Sequence, residues 1–186
     1  MSVAPPENRV WWKEPIEPIE LTWITIAALW GLFMFGFMVA WHFFGQQNLS
    51  NETYRIAPAV YEQKVDAFTK QYQVRDDVGG TPVVKPPAGV DVYMLGRLWQ
   101  WWPILELEKG QSYRIHLSSI DWQHGFSLQP TNINIQVHPG LEHVFTLTPT
   151  ETGEFGIICN EFCGVGHHLM TGKIIVVDKQ NAAGAN

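Results

Sequence analysis

A chain of 186 residues has room for one ordinary domain plus an appendage, but not for two full domains. Its net charge of −6 and the lack of a basic stripe argue against nucleic-acid binding, which needs clustered Lys and Arg to neutralise phosphates. An acidic surface instead suits a basic protein partner, because complementary charge steers encounter.

After an N-terminal segment at 1–20, the run LTWITIAALWGLFMFGFMVAWHFF at 21–44 carries no Asp, Glu, Lys or Arg. At about 1.5 Å per residue it spans roughly 36 Å, enough for the ~30 Å hydrocarbon core with some tilt. Trp23 and Trp41 stand near its ends, where interfacial anchors belong. A buried core helix seldom needs so long an uncharged run. A cleaved signal peptide has a shorter apolar region behind a basic start, whereas WWKEPIEPIE is more acidic than basic. The run therefore reads as one uncleaved transmembrane helix. Its flanks do not orient it: Arg9 and Lys13 precede it, and Arg55 and Lys64 follow it.

Residues 45–90 read as a helical segment and a linker. Within 57–74, Tyr61, Val65, Phe68 and Tyr72 share one face of a 3.6-residue period, so a helix is expected to pack beside the anchor or the domain. The stretch DDVGGTPVVKPPAGV, at 76–90, is rich in Gly and Pro and leaves no room for a regular element. From Asp91 to Lys179 the texture changes. The runs DVYMLGRLW, ILELE, SYRIHLSS, NINIQVH, HVFTLT, FGIIC and GKIIVVD alternate or stay apolar, with EKG, HPG and TETG as turns between them. That pattern predicts an antiparallel sandwich or Greek-key barrel. A loose tail follows at 180–186.

The segment CNEFCGVGHHLM, at 159–170, gathers both cysteines of the chain with two histidines and a methionine. A disulfide between Cys159 and Cys163 would close a tight local loop, staple little chain and leave the His and Met unexplained. Zinc would accept the thiolates and an imidazole, yet no second C-x-x-C pair or H-x₃₋₅-H run is present, and a thioether gives zinc nothing. Copper suits the set best. Electron-transfer copper sites combine His and Cys with a weak axial Met, on a loop between two strands of a sandwich. Gly164 and Gly166 supply the backbone freedom such a loop needs. One more His is expected from an earlier strand or turn. Two thiolates converging from one loop can bridge two metal ions.

The pattern C-x-E-x-C-x-x-x-H-x-x-M, formed by Cys159, Glu161, Cys163, His167 and Met170, resembles the dinuclear CuA motif of subunit II of the haem–copper oxidases, the cytochrome c oxidase subunit II family. SSIDWQHGFSL, NINIQVHPG and LTPTETGEFGIIC resemble further segments of that family. The resemblance implies a cupredoxin-like Greek-key sandwich at 91–179 behind a single N-terminal transmembrane helix. It implies that Cys159 and Cys163 bridge two coppers, and that His124 and His167 each bind one. Met170 and the Glu161 backbone carbonyl would be weak axial ligands, and the Glu161 side chain would help hold a magnesium ion at the boundary with subunit I. GRLWQWWP resembles the aromatic segment where electrons enter, with Trp99 as the best positional match and Trp101 and Trp102 close behind; ordinary packing is the alternative use of all three. Asp121, three residues before His124, stands where it can orient the site. His168, His116, His138, His143 and His42 are expected to be structural or exposed rather than ligands.

Most subunits of this kind have two transmembrane helices, and the single one here resembles the B-type branch more closely. One anchor implies a cytoplasmic N-terminus and a copper domain on the periplasmic or outer side of the inner (plasma) membrane. The implied function is electron transfer, from cytochrome c or a similar soluble donor, through the copper centre, to a haem-bearing subunit I. No catalytic oxygen site is expected on this chain, which has no C-x-x-C-H haem motif. A nitric-oxide-reducing complex is the closest alternative, and a membrane-tethered copper carrier a more distant one.

Overall fold

Pro18 has no N–H to lose in a first turn, and the Glu20 carboxylate accepts the Glu17 N–H at 2.9 Å; together they open helix α1, Pro18–Phe44. The computed structural model describes residues 15–45 and 52–179. The segment up to residue 14, with Arg9 and Lys13, and the tail 180–186 lie outside the described residues. The chain divides into two units, 1–47 and 48–186. In the first, α1 has 27 residues and is apolar on every face, the composition of a helix whose surroundings are themselves apolar. Among the described residues it is the one helix long and apolar enough to cross a membrane.

The second unit is a two-sheet sandwich. Its elements run β1 (Glu52–Arg55), α2 (Pro58–Tyr72), β2 (Gln73–Asp76), β3 (Pro82–Val84), β4 (Asp91–Arg97), β5 (Gln100–Trp102), β6 (Ile104–Glu108), β7 (Tyr113–Ser119), β8 (His124–Leu128), β9 (Asn134–Val137), β10 (Leu141–Leu147), β11 (Gly153–Cys159) and β12 (Thr171–Val177). A five-stranded sheet has the order β1-β10-β7-β4-β5, and a seven-stranded sheet the order β2-β3-β6-β12-β11-β8-β9. Trp101, Leu105, Leu107, Ile115, Leu117, Phe126, Phe145 and Ile157 fill the space between them, all nearly or fully excluded from solvent. The second unit is thus a β-sandwich, and the first holds one apolar helix.

Two details depart from the sequence reading. The sheets are not purely antiparallel: β4 runs parallel to β7, and β6 parallel to both β12 and β3. Strand periodicity carries no information on direction, so alternation within each run could not reveal this. The Gly- and Pro-rich stretch at 76–90 contains β3, whose Pro82, Val83 and Val84 are all buried. As β3 is followed directly by Lys85, which donates its N–H to the Tyr72 carbonyl at 2.9 Å, this stretch is fastened rather than free. As the sequence predicts, α2 packs against the domain: Tyr61 and Val65 form a small core with Leu95, and the Tyr61 hydroxyl donates to the Met94 carbonyl at 2.8 Å. Strand β4 is thus covered on both faces, with Val92 and Met94 in the main core and Leu95 under α2.

Leu117 lies in the middle of the main core and is fully buried, whereas Val60 on α2 is exposed. Leu117→Ala is expected to cost about 2–5 kcal/mol in chemical unfolding of the detergent-solubilised chain. Val60→Ala should stay within about 0.5 kcal/mol of the parent. Equal losses in the two variants would contradict this placement of the core.

Candidate metal centre

The antiparallel register of β8 and β11 pairs Cys159 with Phe126 and Ile157 with Leu128. This brings the first residue of β8, His124, to the last residue of β11, Cys159, at one end of the sandwich. The loop from Asn160 then returns through a 3-10 turn, His167–Leu169, to Met170 and β12. Gly164 has φ +118°, a backbone conformation that a side chain would strain. Gly166, at φ −90°, needs no such freedom. It is glycine for space: a Cβ there would overlap the Trp99 indole, which lies against the loop.

Ligand-bearing atoms of His124, Cys159 and Cys163 all lie within 4.8 Å of one another, and all three residues are buried. The two thiols are free, with Sγ atoms 3.8 Å apart, well beyond a disulfide bond. Cys163 Sγ is also 3.8 Å from His167 Nδ1 and 3.8 Å from the Met170 sulfur, itself buried. The Cys159 thiol points at the Glu161 carbonyl at 3.2 Å. Every donor singled out in the sequence thus falls in one cluster, reached through the chain Glu161–Cys159–Cys163–His167 and Met170, with His124 closing it from β8. His168 is exposed on the same turn. The Glu161 side chain points elsewhere, accepting from Gln136 Nε2 at 3.2 Å.

His124 shows why this cluster suits a metal. Its Nε2 lies 2.8 Å from Asp121 Oδ1, and its Nδ1 is buried with no hydrogen-bond partner. A carboxylate oxygen only accepts, so the proton sits on Nε2 and Nδ1 keeps its lone pair. A buried, unpartnered nitrogen is costly unless something fills the place. An imidazole pinned by a carboxylate on one nitrogen and open on the other is the arrangement of a metal-binding histidine. Burial alone would raise the Asp121 carboxyl, but hydrogen bonds from His124 and from the Leu98 and Trp122 N–H groups outweigh it and hold it low. Two thiols, a thioether and an aimed imidazole make a soft donor set, which suits copper better than zinc.

The indoles take different places. Trp99 is 41% exposed and lies over Gly164 and Gly166, whereas Trp101 is 2% exposed and meets the His124 ring edge-on, with centroids 6.0 Å apart. Around the loop, Trp122, Phe162, Val165 and Leu169 are exposed; Phe162 is 78% and Val165 88% accessible. The rim of the site is apolar, which the acidic whole-chain charge did not foretell.

No family model matches the chain. It is 33% identical over 147 residues to cytochrome c oxidase subunit 2 of Thermus thermophilus, across 78% of this chain and 84% of that protein. Over 66 residues it is 41% identical to heme-copper oxidase subunit 2 of Aeropyrum pernix, across 34% of this chain and 28% of that one. Among solved structures, a chain from the cryo-EM structure of a heme-copper terminal oxidase dimer superposes with a TM-score of 0.54 at 25% identity, over 86% of this chain and 99% of that chain.

Two measurements test the site. Asp121→Ala removes the partner of Nε2 and is expected to weaken copper binding about 10–100-fold in chelator competition, the usual effect of losing such a partner. Unchanged affinity would remove Asp121 from the site. The Cys163 thiol is pushed up to about 11 from 9.0, first by burial and then by the neighbouring Cys159 thiol. The unfolded chain therefore releases this proton first, so the contribution to stability is complete below pH 9 and lost as the pH rises from 9 through about 11. Metal-free protein should lose unfolding free energy across that window, and Cys163→Ser should lose less. Parallel pH profiles for the two would contradict the buried thiol.

Proposed function

The chain belongs to the cytochrome c oxidase subunit 2 family, and from that membership we propose that it is the electron-receiving subunit of a haem–copper oxidase, holding a dinuclear copper centre. The observation that carries the proposal is the convergence of His124, Cys159 and Cys163 around an imidazole nitrogen with no partner. When bound, the copper pair would supply a one-electron store shared between two metals. Cys159 and Cys163 would bridge the pair, with His124 and His167 as one strong ligand each. Met170 and the Glu161 carbonyl would be the weak axial donors. These residues would make and break no substrate bonds; their work is to hold fixed positions in a dry surround while charge changes.

Trp99 is the residue we assign to electron uptake, because it is partly exposed and rests on the ligand loop. Trp101, buried against His124, would act as a rigid wall and a conducting contact. The exposed Trp122, Phe162, Val165 and Leu169 favour contact with other proteins at this end, since a concentrated apolar rim on a soluble domain marks an interaction surface. The partners would be the haem-bearing subunit and a soluble donor such as a cytochrome c. The Glu161 carboxylate would share a magnesium ion with the first of these. Helix α1 would anchor the chain in the inner membrane, with residues 1–20 cytoplasmic and the sandwich on the outer side.

Copper analysis of the oxidase purified with this chain is expected to give two coppers in it, with a mixed-valence spectrum by electron paramagnetic resonance. A four-line spectrum from a single copper would sink the dinuclear reading. Cys159→Ser should abolish the mixed-valence spectrum, and His168→Ala should preserve it. Trp99→Leu should slow oxidation of the soluble donor about tenfold, equal to about 1.4 kcal/mol in the barrier, with the copper spectrum intact. An unchanged rate would move uptake away from Trp99.

A further inference from the structure

We propose that the outer face of β9 latches the loop that carries the Glu161 carbonyl, making Asn134, Gln136 and Asn160 positioning residues for the copper centre. The inference rests on the reading of that carbonyl as an axial donor. Strand β9 alternates: Ile135 and Val137 are buried, Asn134 and Gln136 exposed, so the two amides share one face. Both of them reach the ligand loop. Asn160 Nδ2 donates to Asn134 Oδ1 at 3.0 Å, and Gln136 Nε2 donates to Glu161 Oε2 at 3.2 Å.

A third hold comes from beneath. The Asn160 N–H donates to the Gly125 carbonyl at 3.1 Å, carrying the β8–β11 ladder one step past the Cys159–Phe126 pair. The loop can come so close only because residue 125 is glycine. A Cβ there would overlap Asn160 Oδ1 and lie 2.8 Å from the Glu161 N. Consecutive loop residues, 160 and 161, are therefore held through two side chains and one backbone bond. The carbonyl that follows them, Glu161 O, stands 3.2 Å from Cys159 Sγ. A neutral carbonyl is a weak donor whose influence depends on its distance, and axial donors tune the potential of copper–thiolate sites. Fixing the two residues fixes that distance. The latch serves the copper without touching it.

The test uses the full chain in its assembled oxidase. The double variant Asn134→Ala/Gln136→Ala changes two exposed side chains and is expected to keep two coppers. Its near-infrared absorption band and the midpoint potential of the centre should both shift from the parent values. Asn134→Asp, which retains the oxygen that Asn160 bonds, should keep the parental band. A double variant with parental band and potential overturns the latch while leaving the copper reading in place. If the unmodified chain itself shows no mixed-valence spectrum, the copper reading falls and the latch with it.

Discussion

The site depends on one register, the antiparallel pairing of β8 with β11. Cys159 and the loop behind it are local chemistry, but the imidazole that completes the cluster comes from a strand far upstream in sequence. The pairing of Phe126 with Cys159 places His124 two residues beyond it, on the same side of β8 as Phe126. A slip of one residue would turn His124 and Phe126 to the opposite face, because side chains alternate along a strand. The slip is opposed by burial: Phe126 packs edge-on against Trp101, with centroids 5.3 Å apart, and tilts against Phe145 at 6.0 Å. Core packing therefore sets the ligand geometry.

What was legible in the sequence follows from this division. The loop ligands could be read because five donor positions fall within twelve residues, and donor type alone narrows the metal. His124 could not be found that way. Spacing along the chain says nothing about a partner strand, and its assignment came from resemblance to a family. Asp121 was visible as a neighbour of His124, but its part emerges only with the 2.8 Å contact to Nε2 and the vacant Nδ1. Gly166 was read for the wrong reason. Glycine in a ligand loop suggests backbone freedom, whereas here it makes room for the Trp99 indole from the turn between β4 and β5. Asn134 and Gln136 carry no mark in the sequence, because exposed amides on an edge strand look like ordinary surface, and Asn160 is a non-ligand position of the loop.

The fold divides in the same way. The apolar helix and the alternating runs are local patterns, and both are present in the structure. Strand direction and the capture of β3 by β6 are decided by long-range pairing, so the Gly- and Pro-rich stretch gave no hint of them. Pro82 opens the short strand and the two valines after it are buried, a tertiary demand overriding local turn chemistry. The apolar rim around the ligand loop also escaped the composition. Net charge is a whole-chain sum, and a docking face is a local property.

Burial of the thiols links the stability of the domain to the electron-transfer role proposed for it. The buried Cys163 thiol holds its proton up to about 11, so it carries no charge in the metal-free fold at neutral pH. The thiolate becomes tolerable only when a cation takes the place of the proton, which couples metal binding to proton release. The ligand side chains are built into the core: Cys159, Cys163 and Met170 belong to the same buried cluster as Trp101, Phe126 and Phe145. A rigid setting of this kind is what an electron-transfer site requires. Ligands packed into a core keep their positions when the charge on the metal changes, and small displacement between redox states is the condition for fast one-electron exchange. The pinned His124, the filled space at Gly166 and the fastened Asn160–Glu161 backbone all act in that direction.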